Sequence, residues 1–191
     1  PTPSSAASDV YKRQDKNLEA ISAFSASNIG NYYISNKFAK SKESEIYKAW
    51  AWGNYKYQSK SKKNLLYVKE QKELEFLTFY SDCINFSRDL INSPANKLNP
   101  STYYSKIKNN NLFKSFNFID YTEKEINSNF PLTCAVGKSS SSKPKVIEIT
   151  NRKLSKKDKP LVIIGKGVTF DTGGVNVKTG TSMRNMKKDM G

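Results

Sequence analysis

An α/β fold with a mainly parallel sheet flanked by helices is predicted by three features of the sequence. Strand-like and helix-like segments alternate from residue 64 onward, residues 161–164 form the apolar run LVII, and a glycine-dense loop follows that run. An apolar run without polar alternation suits a central strand covered on both faces. Loops leaving the carboxyl ends of parallel strands are where such folds collect functional groups.

Residues 1–14, PTPSSAASDVYKRQ, are small, polar and non-periodic, and read as a non-native or disordered leader. Across residues 18–48, Leu18, Ile21 and Phe24, and later Ile46 and Trp50, recur at helical spacing. Trp50, Trp52, Tyr55 and Tyr57 lie at mostly even spacing, so their rings share one strand face or cap a helix end; packing at a domain edge is the ordinary role. Residues 64–68 (NLLYV) suit a strand. Residues 70–92 suit a helix with Leu74, Leu77, Cys83, Ile84 and Leu90 as its apolar stripe, closed by SPANKLNP. Pro94 and Pro100 favour an extended link, after which Ser101 is placed to cap a helix through Tyr104 and Ile107. A strand over 117–121, a short helix over 122–127, a serine loop over 139–142 and strands over 145–150 and 161–165 follow. These elements fall into residues 15–69, a linker helix over 70–92 and residues 93–191.

Composition narrows the chemistry. With 191 residues the chain can bury a real core, although only 37% of them are hydrophobic. Its 32 Lys+Arg exceed 17 Asp+Glu by 15 charges, scattered among Ser, Asn and Tyr as on a solvated lysine-rich surface. A basic nucleic-acid-binding module is the alternative, strongest at residues 55–63 and next at 153–159. Histidine is absent, which excludes Cys/His zinc sites, Ser-His-Asp triads and Cys-His dyads within these residues. Cys83 and Cys134 are far apart in sequence, and no apolar stretch reaches membrane-spanning length or forms a signal-peptide core, so a cytoplasmic protein with reduced thiols and no membrane partner is expected.

The chemistry concentrates in residues 165–191, GKGVTFDTGGVNVKTGTSMRNMKKDMG. A dinucleotide fingerprint from Gly165 would need glycine where Phe170 stands, and a phosphate loop would not place Lys178, Thr179 and Gly180 in that order. What remains is Lys166, Asp171, Lys178 and Asp189, with Gly167, Gly173 and Gly174 allowing tight turns and close backbone approach. Two carboxylates suit hard or borderline divalent cations, and two amines suit an anionic intermediate; a surface ion-pair cluster is the alternative.

This string closely resembles the signature of the M17 family of leucyl aminopeptidases: Gly-Lys-Gly, then Phe-Asp-Thr/Ser-Gly-Gly, then Lys, then Met-Lys-x-Asp-Met-Gly. Upstream, RDLINSPANKLNPSTY resembles the segment opening the family's catalytic domain, LTCAVGKSSSSKPKVIEI is similar to its glycine-small-residue strand entry, and WGNYKYQSKSKK resembles the end of its amino-terminal domain. The likeness covers residues 45–191. It implies that Lys166, Asp171 and Asp189 are metal ligands, that Asp171 bridges two divalent ions, manganese or zinc, and that Lys178 is the catalytic lysine facing the substrate carbonyl oxygen. Met186 would line the pocket for the substrate's first side chain, with core packing as its alternative role. The implied activity is removal of amino-terminal residues from peptide substrates by a water activated at the dinuclear centre. The implied assembly is a homo-hexamer.

The family adds an Asp-x-Glu-x-Arg stretch, whose arginine holds a bicarbonate, and residues 1–191 do not contain it. The 191-residue polypeptide is therefore expected to be a truncated catalytic domain that binds metal weakly and lacks peptidase activity, with both properties belonging to the whole protein. A family member that keeps the fold but has lost catalysis, serving as a structural subunit, is the remaining alternative.

Overall fold

A computed structural model describes residues 16–27, 30–34, 39–59, 64–138, 140–151, 155, 157, 159–169 and 179–181. The chain divides into two compact units, residues 1–86 and 87–191.

The first unit contains α1 (Lys16–Ser27), β1 (Asn31–Tyr32), α2 (Lys40–Gly53) and β2 (Leu65–Leu66), followed by most of α3 (Gln71–Asn92). The helical spacing around Phe24 and Trp50 is realised as the meeting of α1 and α2. Phe24, Tyr32 and Trp50 form an aromatic cluster with centroid separations of 5.3, 6.0 and 5.0 Å, while Tyr47 and Ala49 are buried beside Trp50 along α2. Trp50 and Trp52 thus belong to a helix, the helix-end alternative of the two read from their spacing. Gly53 permits the close approach: a Cβ there would lie 1.9 Å from the Ser22 carbonyl oxygen and 2.0 Å from Ser25 Oγ.

Asn64 joins the helices to the strands. Its side-chain amide donates to the Ser25 carbonyl and accepts from Gly30 N at 3.2 Å. Its own carbonyl accepts from Asn54 Nδ2 at 2.8 Å and Trp50 Nε1 at 3.4 Å. The Ser25 carbonyl is one of the last four of α1 and has no intrahelical donor, so Asn64 acts as a cap supplied from a distant loop. β1 and β2 pair in parallel, with Asn31 opposite Leu65 and Tyr32 opposite Leu66.

Of the stripe expected on α3, Leu77 and Leu90 are buried, whereas Leu74 is exposed together with Phe76 and Phe79. Phe76 and Tyr80 stack at 6.1 Å, and Lys48 Nζ lies 5.7 and 5.4 Å from their ring centroids, which gives these half-wet rings a cationic partner.

The second unit opens with the turn that RDLINSPANKLNPSTY encodes. Ser93 is buried; its hydroxyl donates to the Asp89 carbonyl at 2.7 Å and accepts from Lys106 Nζ at 2.9 Å. The helix α4 (Pro100–Lys108) is capped by Asn99, not by Ser101 as expected. Asn99 Oδ1 accepts from Thr102 N at 2.9 Å, Thr102 Oγ1 accepts from Asn99 N at 2.8 Å, and Pro100 fills the first helical position, where its missing N–H costs nothing.

A 3-10 turn (Asn111–Phe113) leads to β3 (Phe116–Asp120), then α5 (Glu123–Asn129), α6 (Pro131–Gly137) and β4 (Ile147–Asn151). α6 was not expected from the sequence; Phe130 ends α5 and Pro131 starts α6 at once. β3 and β4 pair antiparallel, from Phe116 opposite Asn151 to Asp120 opposite Ile147, so the longer ladder departs from the parallel arrangement anticipated. Two helices and a serine-rich loop return the chain against its own direction. Phe113, Phe116, Phe118 and Tyr104 cluster on one side, and Lys145 pairs with Asp120 at 3.1 Å. Leu90, Leu98, Ile107 and Ile126 are the buried apolar residues of this unit among those described.

The run 161–164 corrects the sequence expectation. Residues 161–165 belong to no strand among the described residues, and Leu161, Val162, Ile163 and Ile164 are 89, 72, 85 and 94% exposed. A central strand exists only where neighbours hydrogen-bond both its edges, and no described segment pairs with this one.

Candidate functional site

Of the five residues expected to carry the chemistry, the described structure includes Lys166, on the extended segment 161–169 with its side chain in solvent. Asp171, Lys178, Met186 and Asp189 lie outside the described residues. Among the described residues no group of three His, Cys, Asp or Glu side chains is placed to hold a metal ion. The two stretches considered for nucleic acid, 55–63 and 153–159, are described only in part.

What the structure does bring together is the two motif segments of the second unit. α4, set by the Asn99 cap, carries Tyr103, and the Tyr103 ring lies against the backbone of Gly167. A Cβ on Gly167 would stand 2.7 Å from Tyr103 Cε1, well inside van der Waals contact, whereas Gly165 faces open space. The two glycines flanking Lys166 thus differ in surroundings: a side chain on Gly167 would meet the Tyr103 ring, and one on Gly165 would meet nothing. Tyr103 is half-buried, and this burial pushes its phenol above the usual tyrosine range. Tyr103 was not singled out in the sequence. Its position one residue after the Thr102 of a capping box was the available signal, because the cap fixes which way the first turn of α4 projects.

The donor types on this segment, a lysine amine and two aspartates, match a hard or borderline divalent cation in their chemistry and lack the imidazole or thiolate that a soft metal prefers. Elsewhere, the surface depression lined by Asn31, Tyr32, Tyr33, Ile34, Tyr67 and Lys69 contains one ionisable amine and no carboxylate, and offers no acid–base pair. Cys83 and Cys134 are both free thiols, and burial raises the Cys83 pKa.

Residues 85–191 match the family model described as the cytosol aminopeptidase family, catalytic domain. A probable cytosol aminopeptidase of Aquifex aeolicus is 32% identical over 150 residues, which cover 72% of this chain and 30% of that protein. Among solved structures, the cytosol aminopeptidase of Coxiella burnetii aligns with a TM-score of 0.74 and 26% identity over 93% of this chain and 40% of that one. The bottromycin maturation enzyme BotP, solved in complex with Mn, aligns with a TM-score of 0.67 at 22% identity and bears on the fold alone. The chain spans under a third of the length of the curated relatives it matches.

Proposed function

This chain belongs to the cytosol aminopeptidase family, and on that premise we propose that the whole protein is a metal-dependent aminopeptidase that releases amino-terminal residues from peptides. The observation that carries the proposal is the ordered match of residues 85–191 to the family's catalytic domain. Within it, Lys166, Asp171 and Asp189 contribute to a site for two divalent ions. Manganese or zinc fits this donor chemistry. When bound, the ions supply Lewis acidity at neutral pH.

The protein's own groups then have separate tasks. Asp171 and Asp189 offer anionic oxygens. Lys166 offers an amine from an exposed position. Lys178, kept as an ammonium, donates to the substrate carbonyl oxygen as negative charge develops there, an interaction worth most in the transition state. Met186 lines the pocket for the first side chain. Bicarbonate in the complete site, a homo-hexameric assembly, a cytoplasmic location and the domain division at 15–69, 70–92 and 93–191 belong to the same reading. No helix among the described residues is long and apolar enough to cross a membrane. No observation favours the structural-subunit or nucleic-acid alternatives.

The test is hydrolysis of an aminoacyl-anilide with Mn2+ or Zn2+ supplied. The whole protein turns the substrate over, and Lys178→Ala lowers kcat by about 10²–10³ with little change in KM, as for loss of one oxyanion donor. The 191-residue polypeptide gives no turnover. An inactive whole protein sinks the activity, an unaffected Lys178→Ala sinks the residue assignment, and an active 191-residue polypeptide sinks the need for further ligands.

A further inference from the structure

We propose that Tyr103 is a positioning residue: from α4 its ring seats against Gly167 and holds the backbone that presents Lys166. The inference deepens the functional reading and rests on it for the role of Lys166, but the contact itself stands on geometry alone.

Three observations carry it. Gly167 has no side chain, and the space a Cβ would take is occupied by Tyr103 Cε1, 2.7 Å away, with Cδ1 and Cζ both at 3.6 Å. The contact is therefore made by the flat edge of the ring and does not use the hydroxyl. The ring is also delivered by a well-determined element. Tyr103 N donates to the Asn99 carbonyl at 2.8 Å in the first turn of α4, the Asn99–Thr102 capping box fixes that turn, and Ile107, one turn on, is buried. Finally, the segment on the other side of the contact has little else to fix it. Residues 161–167 are exposed and outside regular structure, and burial deepens only at Val168 and Thr169, just past the ring. A ligand amine on a freely moving segment must be ordered at the moment of binding, which weakens affinity; a ring against the adjacent residue removes part of that cost beforehand.

The experiment is amide relaxation on the 15N-labelled 191-residue chain, with the Gly167 Hα resonances followed in a selectively glycine-labelled sample. Wild-type and Tyr103→Phe chains are expected to show downfield, ring-shifted Gly167 Hα signals, as for protons at the edge of an aromatic ring, and order parameters at Lys166 and Gly167 near about 0.85. Tyr103→Ala is expected to lose the ring shift and drop those order parameters below about 0.6. Tyr103→Leu, which keeps apolar bulk on α4, serves where Tyr103→Ala fails to fold; it loses the ring shift and loosens Gly167 while the amides of residues 104–108 keep their wild-type values. Absence of the ring shift in the wild type, or order parameters at 166 and 167 that no Tyr103 variant changes, overturns the proposal. A parallel Mn2+ titration separates the two readings. A whole protein that shows no Mn2+ binding in that titration while the relaxation result holds defeats the ligand role of Lys166 and leaves Tyr103 as the residue that orders this segment. Where Mn2+ does bind, Tyr103→Ala weakens it by about five- to tenfold, as expected for ordering one ligand-bearing segment, and equal affinity in both chains overturns the positioning role.

Discussion

Replacing Asn64 by Ala removes two hydrogen bonds, and the loss can be worked out atom by atom. The amide Nδ2 leaves the Ser25 carbonyl, and Oδ1 leaves Gly30 N. Ser25 is 1% exposed and Asn64 7%, so water does not reach the abandoned carbonyl without opening the α1–α2 packing. Stranding such a group costs about 1–3 kcal/mol, so the carbonyl lies at the upper end and the half-buried Gly30 N–H at the lower, about 3–4 kcal/mol together. The bonds made by the Asn64 backbone, to Asn54 and Trp50, persist and cap the estimate. Trp50 and Trp52 are the only two tryptophans of the chain, and both lie on α2, so tryptophan fluorescence during urea unfolding reports on the first unit. With a slope of about 1.5–2 kcal/mol/M the midpoint falls by about 2 M. Asn64→Asp keeps an acceptor for Gly30 N but turns an anionic oxygen toward the Ser25 carbonyl, and is expected to do no better. A shift under about 0.5 M in Asn64→Ala, at unchanged slope, refutes the view that this side chain ties the loop to the helices.

Gly53→Ala places a methyl group 1.9 Å from a backbone oxygen, which cannot rotate away, so α1 and α2 must separate at a cost of about 3 kcal/mol, read in the same fluorescence transition. Glu125 has its carboxyl held below its ordinary value of 4.5, first by the Thr122 hydroxyl and then by the Thr122 backbone N–H. A depressed carboxylate contributes above its unfolded value and is lost as pH falls through the folded one, so the start of α5 frays below pH 4.5 by amide chemical shifts; Glu125→Gln, which still closes the box, abolishes that pH dependence. Ile163→Lys puts a charge in the exposed run 161–164 and is expected to lower dye binding and self-association of the 191-residue chain without moving the tryptophan transition; unchanged dye binding counts against the run as the sticky surface.

Much of the fold was legible because local pattern and tertiary need agree there. α3 starts and ends within a residue of the expected helix, since its apolar spacing runs unbroken to the Ser93–Pro94 stop. The short helix expected over 122–127 is realised as α5, where Thr122 and Glu125 close a reciprocal cap that requires no long-range partner. At α4 the choice fell on Ser101, but Asn99 wins because Pro100 is already preset for the first helical position, which moves the cap one residue upstream of the proline. α6 was hidden by its composition: PLTCAVG has no apolar stripe to bury, and Leu132 and Val136 remain exposed. The antiparallel sense of β3 and β4 was illegible for another reason. Strand direction is fixed by what lies between strands, and the connection contains a helix that the sequence did not reveal.

The candidate site divides along the same line. Residue types are chemistry and can be read from the sequence, which is why Lys166, Asp171 and Asp189 stood out from thirty-two basic and seventeen acidic residues. The groups that hold such residues still are geometry, and Tyr103 is separated from Gly167 by more than sixty positions. Its contact follows from a chain of local causes. A buried Ser93 turns the chain out of α3, the Asn99 cap fixes the first turn of α4, and that turn aims a ring at the glycine beside Lys166. Each cause is ordinary, but their product is a contact between the two motifs whose likeness to one family was strongest. On this account the RDLINSPANKLNPSTY segment supplies no reacting group; its turn, its cap and its aromatic ring set where the Gly-Lys-Gly backbone lies.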